Sequence, residues 1–288
     1  MADLISYNVD RFKKLNSQEW TNPSVVDGWR KWHKTYSEWF TPVTEKMASG
    51  SELAAGMKVL DLACGSGEPA ISFARTVGPD GHVTASDFGA DMLSLAKIHA
   101  QEAGVGNMSF QQVDAHSLPF EDESFDRVTC RHGVMYFADY VHALREARRV
   151  LTANGKVALT ANGPFEQPLN ISMLGTLMKH IEMPSRDPDA PNTFSFAPEG
   201  AMRNALESAG FRDVHEEHVE VELLWPRPPG ELWDWFLAIA APFKALFAKL
   251  PDEKREQVFD EIKTELLKFS TGSGASIPFR YIFGIGTK

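Results

Sequence analysis

The period of the apolar positions changes along this chain, and each change predicts an element. Near the N-terminus Trp29, Trp32, Tyr36, Trp39, Phe40 and Val43 recur at spacings of three and four, one face of a helix, with Pro23 and Ser24 where such a helix begins. From Met57 the pattern shifts to short apolar runs alternating with helical ones. Lys58 to Ala63 reads as a buried strand, Glu68 to Val77 as a helix closed by the turn Gly78-Pro79-Asp80-Gly81, and His82 to Asp87 as a second strand. A helix over Asp91 to Ala103 stops at Gly104 and is followed by strands over Met108 to Val113 and Phe125 to Cys130. Tyr140 to Leu151 reads as a helix ended by Asn154-Gly155, and Lys156 to Thr160 as a fifth strand. Such alternation with short connections predicts an α/β fold, a doubly wound parallel sheet with helices on both faces.

The rest of the chain mixes core with insertion. Residues 163–197 are rich in Pro and Asn and are expected to lie irregularly over the sheet as a lid. Pro198 to Gly210 predicts a helix, Val214 to Leu224 a strand, and Glu231 to Leu250 a helical pair or one helix kinked at Pro242. Ile277 to Ile285 predicts a final strand, its length limited by Gly284 and Gly286. The expected organisation is a helical cap over 1–50, a ligand-binding core over 51–162, a lid insertion over 163–197, a core helix and strand over 198–225, a helical lid over 226–275 and the last core strand over 276–288.

Composition narrows the function. The formal net charge is −10, which disfavours the wrapping of nucleic acid. Two cysteines, Cys64 and Cys130, cannot build a disulfide framework or a four-cysteine zinc site, and read as reduced buried thiols of a cytoplasmic protein. His215 and His218, beside Glu216 and Glu217, read as a solvated strand edge, so no metal site is expected. The first twenty residues lack an apolar signal core, and the stretch from Leu232 to Leu250 is interrupted by Asp234, Pro242 and two lysines. Neither a signal peptide nor a stable membrane association is expected.

The chemistry concentrates at Asp61-Leu62-Ala63-Cys64-Gly65-Ser66-Gly67, which closes the first strand and opens the first core helix. Glycines there let a ligand approach the backbone, at the strand ends where open α/β sheets bind nucleotide-like molecules. Asp87, at the end of the second strand, can accept two hydrogen bonds from a ribose diol. Gly65-x-Gly67-x-x-Ala70 also fits a dinucleotide fingerprint, and an NAD-dependent oxidoreductase is one reading of it. The flanking acids Asp61 and Glu68 oppose a pyrophosphate at the helix start and suit a cationic ligand end, such as the amino group of S-adenosylmethionine. Asp114, after the third strand, can accept from an adenine amine.

With those residues in place, residues 57–162 resemble the class I S-adenosylmethionine-dependent methyltransferases, in particular the ubiquinone/menaquinone-biosynthesis-like branch. The resemblance rests on Val59 to Gly67, on Ser86-Asp87-Phe88 followed by Asp91-Met92-Leu93, and on Asp114-Ala115-His116-Ser117-Leu118-Pro119-Phe120. It continues through Ser124-Phe125-Asp126 and Arg148-Arg149-Val150-Leu151 into Asn154-Gly155. It implies a Rossmann-like sheet of seven strands with the last antiparallel, S-adenosyl-L-methionine as cofactor and S-adenosyl-L-homocysteine as its product. It further implies that Gly65 and Gly67 pass beneath the methionine part, with Asp61, Ala63 and Cys64 of the same motif and Arg131 also among the cofactor-binding residues. Asp87 then holds the ribose, Phe88 and Met92 lie beside the adenine, and Asp114, with Ala115 next to it, takes the adenine amine. Ala63 stands where many members have Gly, and Asn154 where many have Pro.

Outside those motifs the residues leave alternatives open. His132 is a candidate general base, or a histidine packed beside the cofactor; Arg131 orients the cofactor or pairs with a surface acid. His33 and Tyr36, and the helical stripe of Trp233, Phe236, Leu237, Ala240, Phe243 and Phe247, either line an apolar acceptor pocket or simply pack a helix. His180 and Glu182 are placed near the pocket by position alone. The expected activity is methyl transfer to carbon, oxygen or nitrogen of a small lipophilic acceptor, apolar or aromatic and quinone-like. A cofactor-binding protein with a non-methylating activity is the alternative from another class. The expected partner is that small molecule and no nucleic acid, and the sequence leaves a homodimer open.

Overall fold

The structure is a computed structural model that describes residues 7–182, 187 and 190–288. Three helices form the N-terminal cap: α1 (Val9–Trp20), α2 (Pro23–Trp39) and α3 (Thr41–Gly50). The side chain of Asn8 accepts from the Arg11 amide and that of Asn22 from the Ser24 amide, so each of the first two helices starts on an asparagine cap. Pro23, at the first position of α2, has no amide hydrogen to leave unsatisfied there.

The core then alternates, except that β3 leads to β4 through a loop without a helix: β1 (Lys58–Leu62), α4 (Ala70–Val77), β2 (His82–Asp87), α5 (Ala90–Glu102), β3 (Met108–Gln112), β4 (Phe125–Arg131), α6 (Tyr140–Val150) and β5 (Leu151–Asn162). A short helix α7 (Pro168–Asn170) runs on into a wider turn over Ile171–Gly175. Next come α8 (Ala201–Ser208), β6 (Arg212–Trp225), α9 (Glu231–Ile239), α10 (Lys244–Phe247), α11 (Asp252–Leu266) and β7 (Ala275–Thr287). The seven strands lie in the order β3-β2-β1-β4-β5-β7-β6, with β7 antiparallel to both neighbours and the other pairs parallel. The order reverses direction between β1 and β4, the place where open α/β sheets leave a crevice for ligands.

Successive residues of β1 feed opposite layers, as the pleat requires. Val59 packs with Phe73, Val83, Trp32 and Trp39 on the face covered by the cap and α4, whereas Leu60 and Leu62 pack with Val128, Leu144, Leu206 and Ile282 on the other. Trp225, at the end of β6, meets Trp32, Trp39 and Trp235, so one aromatic cluster ties the cap to the C-terminal lid. α2 and α9 also approach closely, since a Cβ on Gly28 would overlap the carbonyl of Ala238.

Several expectations need correction. β1 stops at Leu62, because Ala63 adopts a φ of 53° and leaves extended geometry. β7 is not limited by Gly284 and Gly286 but runs through both to Thr287. These glycines make room for α8 and its exit: a Cβ on Gly284 would overlap Met202, and one on Gly286 would lie 2.9 Å from Cβ of Phe211. The segment after β5 is more regular than expected, with Leu169, Met173 and Leu174 buried; residues 183–186 and 188–189 lie outside the described part. Pro242 belongs to a 3₁₀ turn, Ala241–Phe243, that separates α9 from α10. Beyond it α11 is a helix of its own, anchored by Val258, Ile262 and Leu266 at spacings of four; the charged residues between them hid that stripe. Among the described residues no helix is long and apolar enough to cross a membrane.

Candidate active site

A cavity of about 620 Å³ opens at the carboxyl ends of β1, β2 and β4, between the sheet, the cap and the lid. Its floor is the turn Ala63-Cys64-Gly65-Ser66. Gly65 has a φ of 53° and nothing within 4 Å of where a side chain would begin, so a Cβ there would stand in the open cavity. Gly67 is not on the wall. Its φ is 118°, and a Cβ on it would lie 2.8 Å from Ile71 and 3.2 Å from Ala96, so it serves the packing of the turn on α4 and α5.

Asp87 is 7 % exposed and joins the two sides of the floor. Its Oδ2 accepts from the Gly65 amide at 3.0 Å and its Oδ1 from the Gly89 amide at 2.8 Å. Burial raises its pKa, and those amides oppose the rise. Phe88, Met92, Asp114 and Ala115 continue the wall on that side. Asp114 is held by two cations or donors: Lys13 Nζ of α1 at 2.9 Å, and His116 Nδ1. His116 Nε2 accepts from the Asp139 amide, so Nδ1 carries the hydrogen that goes to Asp114. These bonds hold the Asp114 carboxyl well below its usual pKa range.

Asp61 lies beneath the turn, fully buried and off the cavity wall. Its Oδ1 accepts from Thr129 Oγ1 at 2.6 Å, while Oδ2 is buried with no partner among the described residues. Burial pushes its pKa up to about 7. Arg131, at the end of β4, is 8 % exposed and lies over the rings of Tyr36 and Phe40. Its guanidinium donates to Thr44 Oγ1 at 2.8 Å and to the Glu68 carbonyl at 3.0 Å, so it does not pair with a surface acid.

His132 follows with a φ of 55° and packs edge-on to Phe40 and Phe279. It lines the cavity, yet both ring nitrogens are buried without a partner, and burial beside Arg131 lowers its pKa to about 3. The imidazole is therefore neutral at neutral pH and a weak base where it stands.

The acceptor-side residues divide. Tyr36 and Phe236 lie on the wall, whereas His33 and Trp233 do not. Trp233 is fully buried against Phe236, Phe247 and Phe259 within the lid. His33 stands behind the floor and bonds Ser66. His180, farther off, bonds Glu261 of α11 at 2.7 Å and is not on the wall. Phe243 and Ala240 of the lid stripe and Trp39 of the aromatic face also line the cavity, whereas Leu237 and Phe247 do not. Sequence reading passed over Lys13, Asn16 and Trp20 of α1, and Trp235, all of which line it. The asparagine cap at Asn8 was the signal for α1; Trp235 carried none that separates wall from core.

The chain's likeness to known proteins matches this geometry. The methyltransferase domain family matches residues 53–185. A demethylmenaquinone methyltransferase of Staphylococcus aureus is 34% identical over 170 residues, 55% of this chain and 69% of that protein. The chain belongs to the S-adenosylmethionine-dependent methyltransferases. An uncharacterized methyltransferase of Bacillus subtilis, YcgJ, is 34% identical over 176 residues, 61% of this chain and 66% of that protein. Among solved structures, a protein of Bacillus halodurans named a putative methyltransferase is similar over 85% of this chain and 98% of its own, with 26% identity and a TM-score of 0.54. The dinucleotide reading of Gly65-x-Gly67-x-x-Ala70 gives way to this family. Two local features of the methyltransferase fit its cofactor: the open space over Gly65, and the orphaned Oδ2 of Asp61, a carboxyl buried beneath the floor whose ionisation a nearby cationic ligand end favours.

Proposed function

We propose that this methyltransferase alkylates a small apolar or aromatic acceptor held in the aromatic half of its cavity. The observation that carries the reading is the continuity of one cavity from Gly65 and Asp87 to a wall of Trp29, Tyr36, Trp39, Trp235, Phe236 and Phe279. A mostly apolar pocket with few polar groups is the usual form of a site for a lipophilic small molecule. The demethylmenaquinone methyltransferase likeness supports a quinone-like acceptor as the first to try. Two free buried thiols, Cys64 and Cys130, support a cytoplasmic setting.

Bound S-adenosylmethionine supplies a methyl group on a positively charged sulfur, activated for in-line displacement. The chain's own residues bind and orient. Ala63, Cys64 and Gly65 pass under the methionine part. Asp87 turns the free lone pairs of its two oxygens to the ribose diol, and Phe88 and Met92 flank the adenine. Asp114 and Ala115 would border the adenine, and Asp114, already held by Lys13, would accept from its amine. Asp61, beneath the floor, would favour an ammonium end bound near it, and Arg131 on the wall would orient the methionine end. Tyr36 and Phe236 hold the acceptor in line, which is the main source of rate in a displacement of this kind. His132, a neutral imidazole with buried ring nitrogens, shapes the wall beside the acceptor rather than acting as a strong base.

Calorimetric titration of S-adenosylhomocysteine into the wild type and Asp87→Ala tests the cofactor half. Loss of hydrogen bonds to a charged acceptor predicts a weakening of about tenfold or more. Equal affinity in the two proteins would remove Asp87 from the site. Quenching of tryptophan fluorescence by a series of quinols, phenols and charged aliphatic amines tests the acceptor half, and a preference for the charged aliphatic amines would overturn it.

A further inference from the structure

The imidazoles of His33 and His99 stack face to face, with centroids 3.6 Å apart and planes 14° from parallel. They come from different elements, His33 from α2 and His99 from α5. Both bind the same residue of the cofactor floor: His33 Nδ1 meets Ser66 Oγ at 2.9 Å, and His99 Nδ1 meets the Ser66 carbonyl at 2.8 Å. A carbonyl only accepts, so the His99 Nδ1 carries the hydrogen. Ser66 is 4 % exposed and lies on the cavity wall. One residue on, Gly67 packs on Ala96 of α5.

The same helix that carries His33 also carries Trp29, Tyr36 and Trp39, which face the acceptor half of the cavity. A rigid helix therefore has the acceptor wall on one side and a bolt to the cofactor floor on another. The apolar packing of α2 alone would hold the helix on the core. It would not demand two polar rings converging on one serine, whose hydroxyl and carbonyl are both used.

We infer that His33 and His99 are a positioning pair that couples the acceptor wall on α2 to the cofactor floor at Ser66. This rests on the proposed course of the cofactor over that floor. Cofactor bound over Ser66 fixes its backbone, the stack transmits that order to α2, and the acceptor wall is set before the acceptor arrives. Coupling of this kind is reciprocal, so an acceptor seated against α2 tightens the cofactor by the same factor. The chain of contacts is contiguous and passes through named atoms, which makes it open to removal at one link.

Hydrogen–deuterium exchange with and without S-adenosylhomocysteine tests it, using the wild type, His33→Ala and His33→Asn. The amide of Asn can keep the bond to Ser66 while the stack is lost, which separates the two parts of the device. In the wild type the ligand is expected to slow exchange over residues 23–39 at least fivefold, a factor within the usual range of coupling. In His33→Ala the ligand still binds, weakened about tenfold, and protection of residues 23–39 disappears; His33→Asn recovers part of it. Equal protection of α2 in the wild type and both variants would overturn the inference, as would no protection in a wild type that binds the ligand. Should His33→Ala fail to fold, the comparison of His33→Asn with the wild type is read in the same way. Absence of any binding heat in the wild type is a different failure. It would remove the course of the cofactor itself, and the inference with it.

Discussion

The methyl group of Ala63 occupies the space that a side chain on Gly133 would need: a Cβ built on Gly133 would lie 2.7 Å from the Cβ of Ala63 and 2.7 Å from the sulfur of Cys130. The two turns that follow β1 and β4 are thus fitted to each other at the cavity floor. Ala63 holds a left-handed φ of 53° that glycine would adopt at lower cost. Gly133→Ala is expected to destabilise the protein by about 1–3 kcal/mol through overpacking. Ala63→Gly added to it is expected to restore part of the loss, because it removes one of the two clashing atoms. Urea denaturation of the wild type, both single variants and the double variant measures the coupling. Strict additivity would show that the two turns are not fitted in this way.

How much of this was legible beforehand follows from where the information resides. The alternating core announced itself because strand and helix periods differ, and Gly65, Asp87 and Asp114 sit at strand ends whatever the tertiary detail. The cap-to-lid contacts did not. Trp233 and Phe236 are neighbours on the same helical pattern, yet only Phe236 reaches the wall, since the direction in which α9 packs is set by Gly28, some two hundred residues away. His33 read as a wall residue because it lies between Trp32 and Tyr36, and only the position of α5 reveals the ring stacked behind the floor. Ala63 stands where a glycine was expected and holds a left-handed φ of 53°, and the room for its methyl group comes from Gly133, in a different part of the chain.

Gly284 and Gly286 yield a second steric prediction. Glycine inside a strand usually weakens it, and here it lets a helix approach. The added Cβ of Gly284→Ala would overlap Cγ of Met202 and lie 3.4 Å from Leu206, both on α8. The expected loss is about 1–3 kcal/mol. Met202→Ala in the same chain should relieve the overlap, leaving the double variant more stable than additivity predicts. Thermal unfolding followed by circular dichroism reads both effects, and an unchanged Tm for Gly284→Ala would refute the packing argument.

Asp61 predicts a pH dependence of cofactor binding. Burial raises its carboxyl to about 7, so it holds a proton in much of the free protein at neutral pH. A folded-state pKa above the unfolded one contributes stability that is fully present below the unfolded pKa and is lost as pH rises through about 7. A cationic ligand end placed beside it favours the carboxylate. S-adenosylhomocysteine, whose amino group is charged, should therefore bind more tightly as pH rises through about 7, with release of a proton. Calorimetry in buffers of different ionisation enthalpy counts that proton directly. Asp61→Asn should bind with weaker affinity and no proton release in this range. If the variant still releases the proton, Asp61 is not its source.

His132 leads to the opposite sign on the acid side. Its pKa is lowered to about 3 by burial first and by Arg131 second, and His33 is lowered to about 3 by burial, His99 and Arg131. A group with a depressed folded-state pKa contributes stability above its unfolded value and loses it as pH falls. Stability should therefore decline from about pH 6.5 towards pH 3 as these imidazoles are forced to charge. His132→Asn tests the point without backbone strain, because asparagine tolerates the φ of 55° found there. The variant should unfold with a shallower pH slope below pH 6.5. The same protein decides the chemical role. A true general base contributes about 10²–10⁴-fold. Removal of a weakly basic, packed imidazole should cost less than about tenfold in kcat, with a pH–rate profile of unchanged shape between pH 6 and 8. A loss of a hundredfold with an altered profile would instead make His132 the base, and would require its ring to turn out of the Phe40–Phe279 sandwich when the acceptor binds.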